Sequence, residues 1–156
     1  LGILKSTGEI DVERTGKLIE SARPMSVTFH RAFDMCHEPE KGLEDVISAG
    51  ADRLLTSGQK NKADEGTELI RKLIRQAKDR IIIMPGSGIN ELNIATVAKT
   101  TGAKEFHLTG RKVIESEMIF RRQNILSGGI PGISEYSRKV ADPQMIRSII
   151  NILKLI

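Results

Sequence analysis

An α/β fold with parallel strands is what this 156-residue sequence predicts, on three observations. Strand-like segments begin near residues 26, 53, 81 and 105, each followed by a helical pattern, a spacing of roughly two dozen residues that suits a βα module. One segment, Ile81-Ile82-Ile83-Met84-Pro85, is apolar throughout, as expected of a parallel strand buried on both faces. Two others alternate with a period of two: Ser26, Thr28 and His30 against Val27 and Phe29, and Glu105, His107 and Thr109 against Phe106 and Leu108. A doubly wound sheet of five strands fits the length. A complete (β/α)8 barrel takes about 250 residues, so this chain would be its C-terminal portion. The alternation favours the barrel, because a doubly wound sheet would bury those polar groups under helices at a cost.

Asp11 is placed to cap a first helix whose stripe is Val12, Leu18, Ile19 and Ala22, stopped at Arg23-Pro24. The first strand follows at 26–30. Pro39 and Gly50 bracket a helix carrying Leu43, Val46 and Ile47. A second strand at 53–58 ends in Thr56-Ser57-Gly58, and a polar loop at 59–65 leads to a helix with Leu69, Ile70, Leu73, Ile74 and Ala77. The opposite face of that helix holds Arg71, Lys72, Arg75 and Lys78 and reads as solvated. The third strand runs into Gly86-Ser87-Gly88-Ile89-Asn90, where Ser87 or Asn90 would cap a helix at 91–101 closed by Gly102. A fourth strand is expected at 105–109. Beyond a glycine-rich turn at 128–132, Asp142-Pro143 opens a final helix with Met145, Ile146, Ile149, Ile150 and Leu153.

The length makes one domain with 39% hydrophobic residues for its core. A net charge of +4 spread along the chain, with 3% aromatic residues, does not argue for nucleic acid. The single cysteine, Cys36, excludes an internal disulfide framework and suits a reducing, cytoplasmic setting. No apolar run approaches the ~18 residues of a membrane span, so no membrane partner is expected. The opening Leu1-Gly2-Ile3-Leu4, without Met, reads as a fragment entering in mid-strand.

The chemistry gathers at strand ends, where α/β folds bind ligands. His30, Arg31 and Asp34 place a base, a cation and an acid within five residues. With His107 they form the candidate catalytic set: His30 and His107 as an acid/base pair, Asp34 orienting an imidazole, Arg31 holding an anion. The plainer reading is that His30 and Asp34 cap the next helix while Arg31 neutralises a neighbour. Thr56, Ser57, Gly86, Ser87, Gly88 and Arg111 are the candidate anion binders, offering hydroxyls, amides and a cation. Ser57 and Ser87 carry no nucleophile-elbow motif. The metal ligands stay open. Met35-Cys36-His37 is the soft cluster, making Cys36 and His37 the candidates, but Cu(I) wants two or three soft ligands and the chain has one thiol.

Val27-Thr28-Phe29-His30-Arg31-Ala32-Phe33-Asp34, Leu55-Thr56-Ser57-Gly58, Met84-Pro85-Gly86-Ser87-Gly88-Ile89, Glu105-Phe106-His107, Met118-Ile119-Phe120-Arg121 and Ser134-Glu135-Tyr136-Ser137 closely resemble the CutC family of copper homeostasis proteins. The resemblance implies a TIM barrel, here a partial one covering about strands 4/5 to 8 plus a C-terminal helix. It implies a cytosolic homo-oligomer that handles copper as Cu(I), without an established reaction. The cysteines usually proposed as the family's copper ligands lie in an N-terminal half that this sequence does not include, so none carries over. Two alternatives stand beside copper handling. One is a barrel enzyme acting on a small anionic, perhaps phosphorylated, substrate through His30 and His107; the other is an inactive truncated isoform.

Overall fold

The computed structural model of the chain describes residues 1–122 and 134–156; the glycine-rich turn expected at 128–132 lies outside the described residues. Helix α1 (Val12–Ala22) starts where Asp11 accepts a hydrogen bond from the Arg14 N–H at 2.9 Å, the N-cap that the sequence predicts. Strand β1 (Thr28–Phe29) is shorter than expected. Next come α2 (Pro39–Ser48), β2 (Arg53–Thr56), α3 (Thr67–Ala77) and β3 (Ile82–Pro85). Helix α4 (Ile94–Thr101) ends on Gly102 at φ +75°, as its lack of a Cβ allows. It begins three residues later than expected because Asn90 and Asn93 fold the approach into side-chain turns. Asn90 accepts from the Leu92 N–H, and Asn93 from the Asn90 N–H. Final helix α5 (Pro143–Lys154) is capped by Asp142, with proline in its first turn.

β1, β2 and β3 pair in parallel, with Phe29 opposite Leu54 and Leu54 opposite Ile83. On the free side of β1 the Leu1 ammonium donates to the Thr28 carbonyl, and the Leu1 carbonyl accepts from the His30 N–H. On the far side of β3, His107 bridges Gly86, its N–H donating to the Pro85 carbonyl at 2.9 Å. The order across the sheet is therefore the order along the chain. Each helix packs on the next, α1 on α2 through to α4 on α5. A doubly wound sheet would reverse its order and carry helices on both faces; this one does neither.

The two faces differ accordingly. Phe29, Leu54 and Ile83 lie under the helices, fully or almost fully buried, and Phe33, Leu43, Ile70, Leu73, Ile94 and Val97 complete that core. The residues between them, Thr28, Arg53, Leu55, Ile82 and Met84, are half-buried or exposed. On α1 the core positions are Thr15 and Ile19, while Leu18, expected in the apolar stripe, is 48% exposed. The expected strand at 105–109 shrinks to the one bridge at His107, although Phe106 and Leu108 do pack on the core as the alternation predicts. An antiparallel hairpin of β4 (Arg111–Glu115) and β5 (Ser137–Ala141) was not predicted. It leaves Val113, Met118, Ile119 and Phe120 exposed.

Candidate functional site

The C-terminal ends of β1 and β2 are tied together by one carboxylate. After Phe29 the chain turns into a 3-10 segment, Arg31–Met35, because the His30 Nδ1 accepts from the Ala32 N–H at 3.0 Å. That turn buries Phe33 and brings Asp34 against the end of β2. Asp34 accepts from the Thr56 hydroxyl at 2.5 Å, the Ser57 hydroxyl at 3.0 Å, the Ser57 and Gln59 N–H groups at 3.1 Å, and Arg31 Nε at 2.7 Å. Burial pushes its pKa up, but the hydrogen bonds from Thr56, Arg31, Gln59 and Ser57 outweigh that and hold the carboxyl below its ordinary range. Gln59, at φ +57°, reaches back to the Cys36 carbonyl at 2.6 Å. The loop closes only because two residues lack side chains. A Cβ on Gly58 would fall 2.3 Å from the Gly66 oxygen, and one on Gly66 would fall 2.0 Å from that of Ser57.

This geometry redistributes the predicted roles. Asp34 orients a guanidinium and a loop rather than an imidazole. Thr56 and Ser57 are fully buried with their hydroxyls engaged, so they do not present themselves to an anion. The Gly86 N–H is spent on the Thr56 carbonyl. Arg111 lies on β4, in the hairpin outside the three-stranded sheet. Arg31 stays at the strand ends, its Nη2 donating to Ser57 Oγ at 2.8 Å and to the Lys60 carbonyl. Ser87 sits at φ +84°, pinned by its hydroxyl on the Asn61 carbonyl and by the Ala63 N–H on its own carbonyl. A non-glycine residue in that region is strained.

The two imidazoles are set apart by register. Continuing the pairing of Phe29 with Leu54 places His30 level with Leu55 and Met84, whereas His107 is level with Gly86. Three strand spacings of ~4.8 Å separate them across the sheet, about 14 Å, and two residues separate them along it. An acid/base pair on one small substrate needs both groups within hydrogen-bond reach of it, and the register sets His30 and His107 on strands that are not neighbours. His30 is an exposed residue with Nδ1 occupied, which matches the plainer capping reading.

The donor set does not fit a copper centre. Cys36 is buried, and burial together with the nearby Asp34 charge pushes its thiol up to about 11, away from the thiolate that binds metal. Neighbouring His37 is exposed, beside Glu38, and Met35 is 77% exposed. Among the described residues no group of three or more His, Cys, Asp or Glu side chains is placed to hold a metal ion. Sequence reasoning passed over Gln59 and Gly66, which clamp this end of β2; a glycine directly before the α3 start was the visible signal for the second.

Comparison with known proteins places this arrangement in context. Residues 1–112 match the model of the CutC family. A CutC family protein of Bacteroides thetaiotaomicron is 43% identical over 98% of this chain and 61% of its own length. The human copper homeostasis protein cutC homolog is 44% identical over 98% of this chain and 56% of its own length. This chain thus spans about three fifths of the curated relatives it matches. A crystal structure of CutC from Streptococcus agalactiae superposes with a TM-score of 0.64 at 32% identity, covering 69% of this chain and 53% of that one.

Proposed function

The chain belongs to the CutC family, and from that premise we propose that it serves copper homeostasis as an arc of a (β/α)8 barrel whose strand ends bind a ligand without turning it over. The observation that carries the barrel reading is the strand order. Parallel neighbours in unreversed chain order, with successive helices packed side by side, are what a segment cut from a barrel contains. An all-parallel sheet is stable with both faces covered, and the half-exposed face of Thr28, Leu55 and Met84 is the one a closed barrel would shelter. The separation of His30 from His107 favours binding over acid/base turnover. The same reading takes the protein as a cytoplasmic homo-oligomer, with its lone thiol Cys36 reduced.

Copper handling of this kind does not run through a centre made of the described residues. Deleting the gene for the natural protein is expected to lower the copper tolerance of its host, and tolerance should return with the wild-type gene and with Cys36→Ala alike. Unchanged tolerance in the deletion strain would overturn the copper reading. Competition of this chain with a Cu(I) chelator is expected to show no stoichiometric uptake; uptake abolished by Cys36→Ala would reverse the account of Cys36.

A further inference from the structure

We propose that the β4–β5 hairpin docks this chain onto an anionic lipid surface, the apolar turn after β4 entering the headgroup region and the basic side chains around it meeting the anionic headgroups. Neither the copper reading nor the strand-end site bears on this surface. Residues 1–110 hold 16 basic and 16 acidic side chains, so the whole net charge of +4 falls on residues 111–156. Six of the eight cations there, Arg111, Lys112, Arg121, Arg122, Arg138 and Lys139, belong to the hairpin and to the turn that follows β4.

Most of these cations stand without partners. Lys112 pairs with Asp142 and Arg121 with Glu115, whereas Arg111, Arg122, Arg138 and Lys139 form no ion pair among the described residues. Glu117 and Glu135 are the other acids of the region, which leaves six cations against three carboxylates over residues 111–141. Register puts Arg111 opposite Ala141 and Val113 opposite Lys139, and residues directly opposite share a face of the ribbon. All four are exposed, while Ile114 and Val140 on the other face are half-buried.

The turn after β4 adds the apolar component. Met118, Phe120 and Val113 are more than half exposed, and Ile119 is 98% exposed. Polar contacts hold the turn in this form: Arg121 donates to Glu115 and to the Ser116 carbonyl, and the Arg122 N–H donates to the Tyr136 hydroxyl at 2.6 Å. Large apolar side chains gathered in water mark an interaction surface. The Met118-Ile119-Phe120-Arg121 string, which the strand-end site leaves unused, is the centre of this one.

Charge and shape select the occupant. A second copy would set like charges against one another, so the complement is anionic. The apolar residues project from a turn instead of lining a groove, which suits the boundary between headgroups and acyl chains better than a protein pocket. The Arg122 guanidinium stands 5.8 Å from the Phe120 ring centroid, keeping a cation beside the ring that would insert. The expectation of no membrane partner rests on the lack of a spanning segment, and peripheral docking needs none.

The test is co-sedimentation of the chain with vesicles of phosphatidylcholine, alone or mixed in equal parts with phosphatidylserine. Saturable binding to the mixed vesicles is expected, at least ~10-fold tighter than to phosphatidylcholine alone and weakened by added salt. Ile119→Ser/Phe120→Ser and Arg138→Glu/Lys139→Glu should each weaken it at least ~10-fold. Arg71→Glu/Arg75→Glu, the same charge change at exposed positions of α3, should bind as the wild type does. Circular dichroism accompanies each variant, and if one hairpin variant is unfolded the other decides. Absence of binding to the mixed vesicles, unchanged affinity in the folded hairpin variants, or an equal loss in the α3 variant would overturn the proposal. Binding of polyglutamate but not of vesicles would also overturn it and assign the hairpin to an acidic protein. Self-association without vesicle binding would overturn it in favour of a second copy.

Discussion

The two faces of the parallel sheet hold alternate residues of the same strands, yet they are built on opposite terms. Under the helices, Phe29 and Leu54 are fully buried and Ile83 nearly so, and that face derives its stability from area removed from water. On the other face, Arg53 forms a two-pronged ion pair with Glu105 and a hydrogen bond to Ser26, and Ile82 is 38% exposed. The first face holds the sheet to its helices; the second is lined by polar and half-exposed groups. The comparison teaches that burial in this chain follows the helices, not the hydrophobicity of the strand residue: Leu54 and Leu55 are neighbours with opposite fates.

Phe29→Ala offers the largest effect by which to break that contrast. Deleting a fully buried ring should cost about 3–5 kcal/mol, read as a lowered midpoint in chemical denaturation. A loss below about 1 kcal/mol would mean that the helix face is not the stabilising one. Leu54→Ala against Leu55→Ala sharpens the comparison within one strand. The first should cost about 2–5 kcal/mol and the second clearly less; equal losses would refute the distinction.

Asp34→Asn tests the knot where the faces meet at the strand ends. Its carboxylate is only 7% exposed and accepts from Arg31 Nε, so the variant should lose about 2–3 kcal/mol at neutral pH. The folded-state pKa lies below the ordinary value, so the contribution is full above an unfolded pKa of ~3.9 and disappears as the pH falls through the folded one. The gap between wild type and variant should therefore close in acid; a gap constant down to pH 2 would mean that the carboxylate charge is not what stabilises the knot. The smallest effect belongs to Glu44→Gln. Glu44 is pulled down to about 2 by hydrogen bonds from Arg80 and Gln76, but the pair is exposed and solvent-screened. Its midpoint should barely move, and a large shift would place surface ion pairs beside core burial as a source of stability.

Much of the fold was legible locally. Asp11, Asp142, Pro39 and Gly102 mark helix ends by cap chemistry that needs no distant partner. The alternation of 105–109 correctly put Phe106 and Leu108 on the core, though little of that segment pairs as strand. The hairpin was illegible because β4 and β5 find each other across a long connection and present mostly exposed residues, leaving no apolar pattern to read. The site was half legible. The strand-end cluster stood out by residue type, whereas the partner of each group did not.

Composition and period alone point to an α/β chain with parallel strands at 53–58 and 81–85, found at 53–56 and 82–85, because side-chain alternation and capping act within a few residues. Tertiary structure decides the rest. Whether Asp34 serves an imidazole or a guanidinium depends on which loop folds over it, and whether His30 and His107 meet depends on how many strands lie between them. Both are properties of pairing across the sheet, which a single strand does not encode.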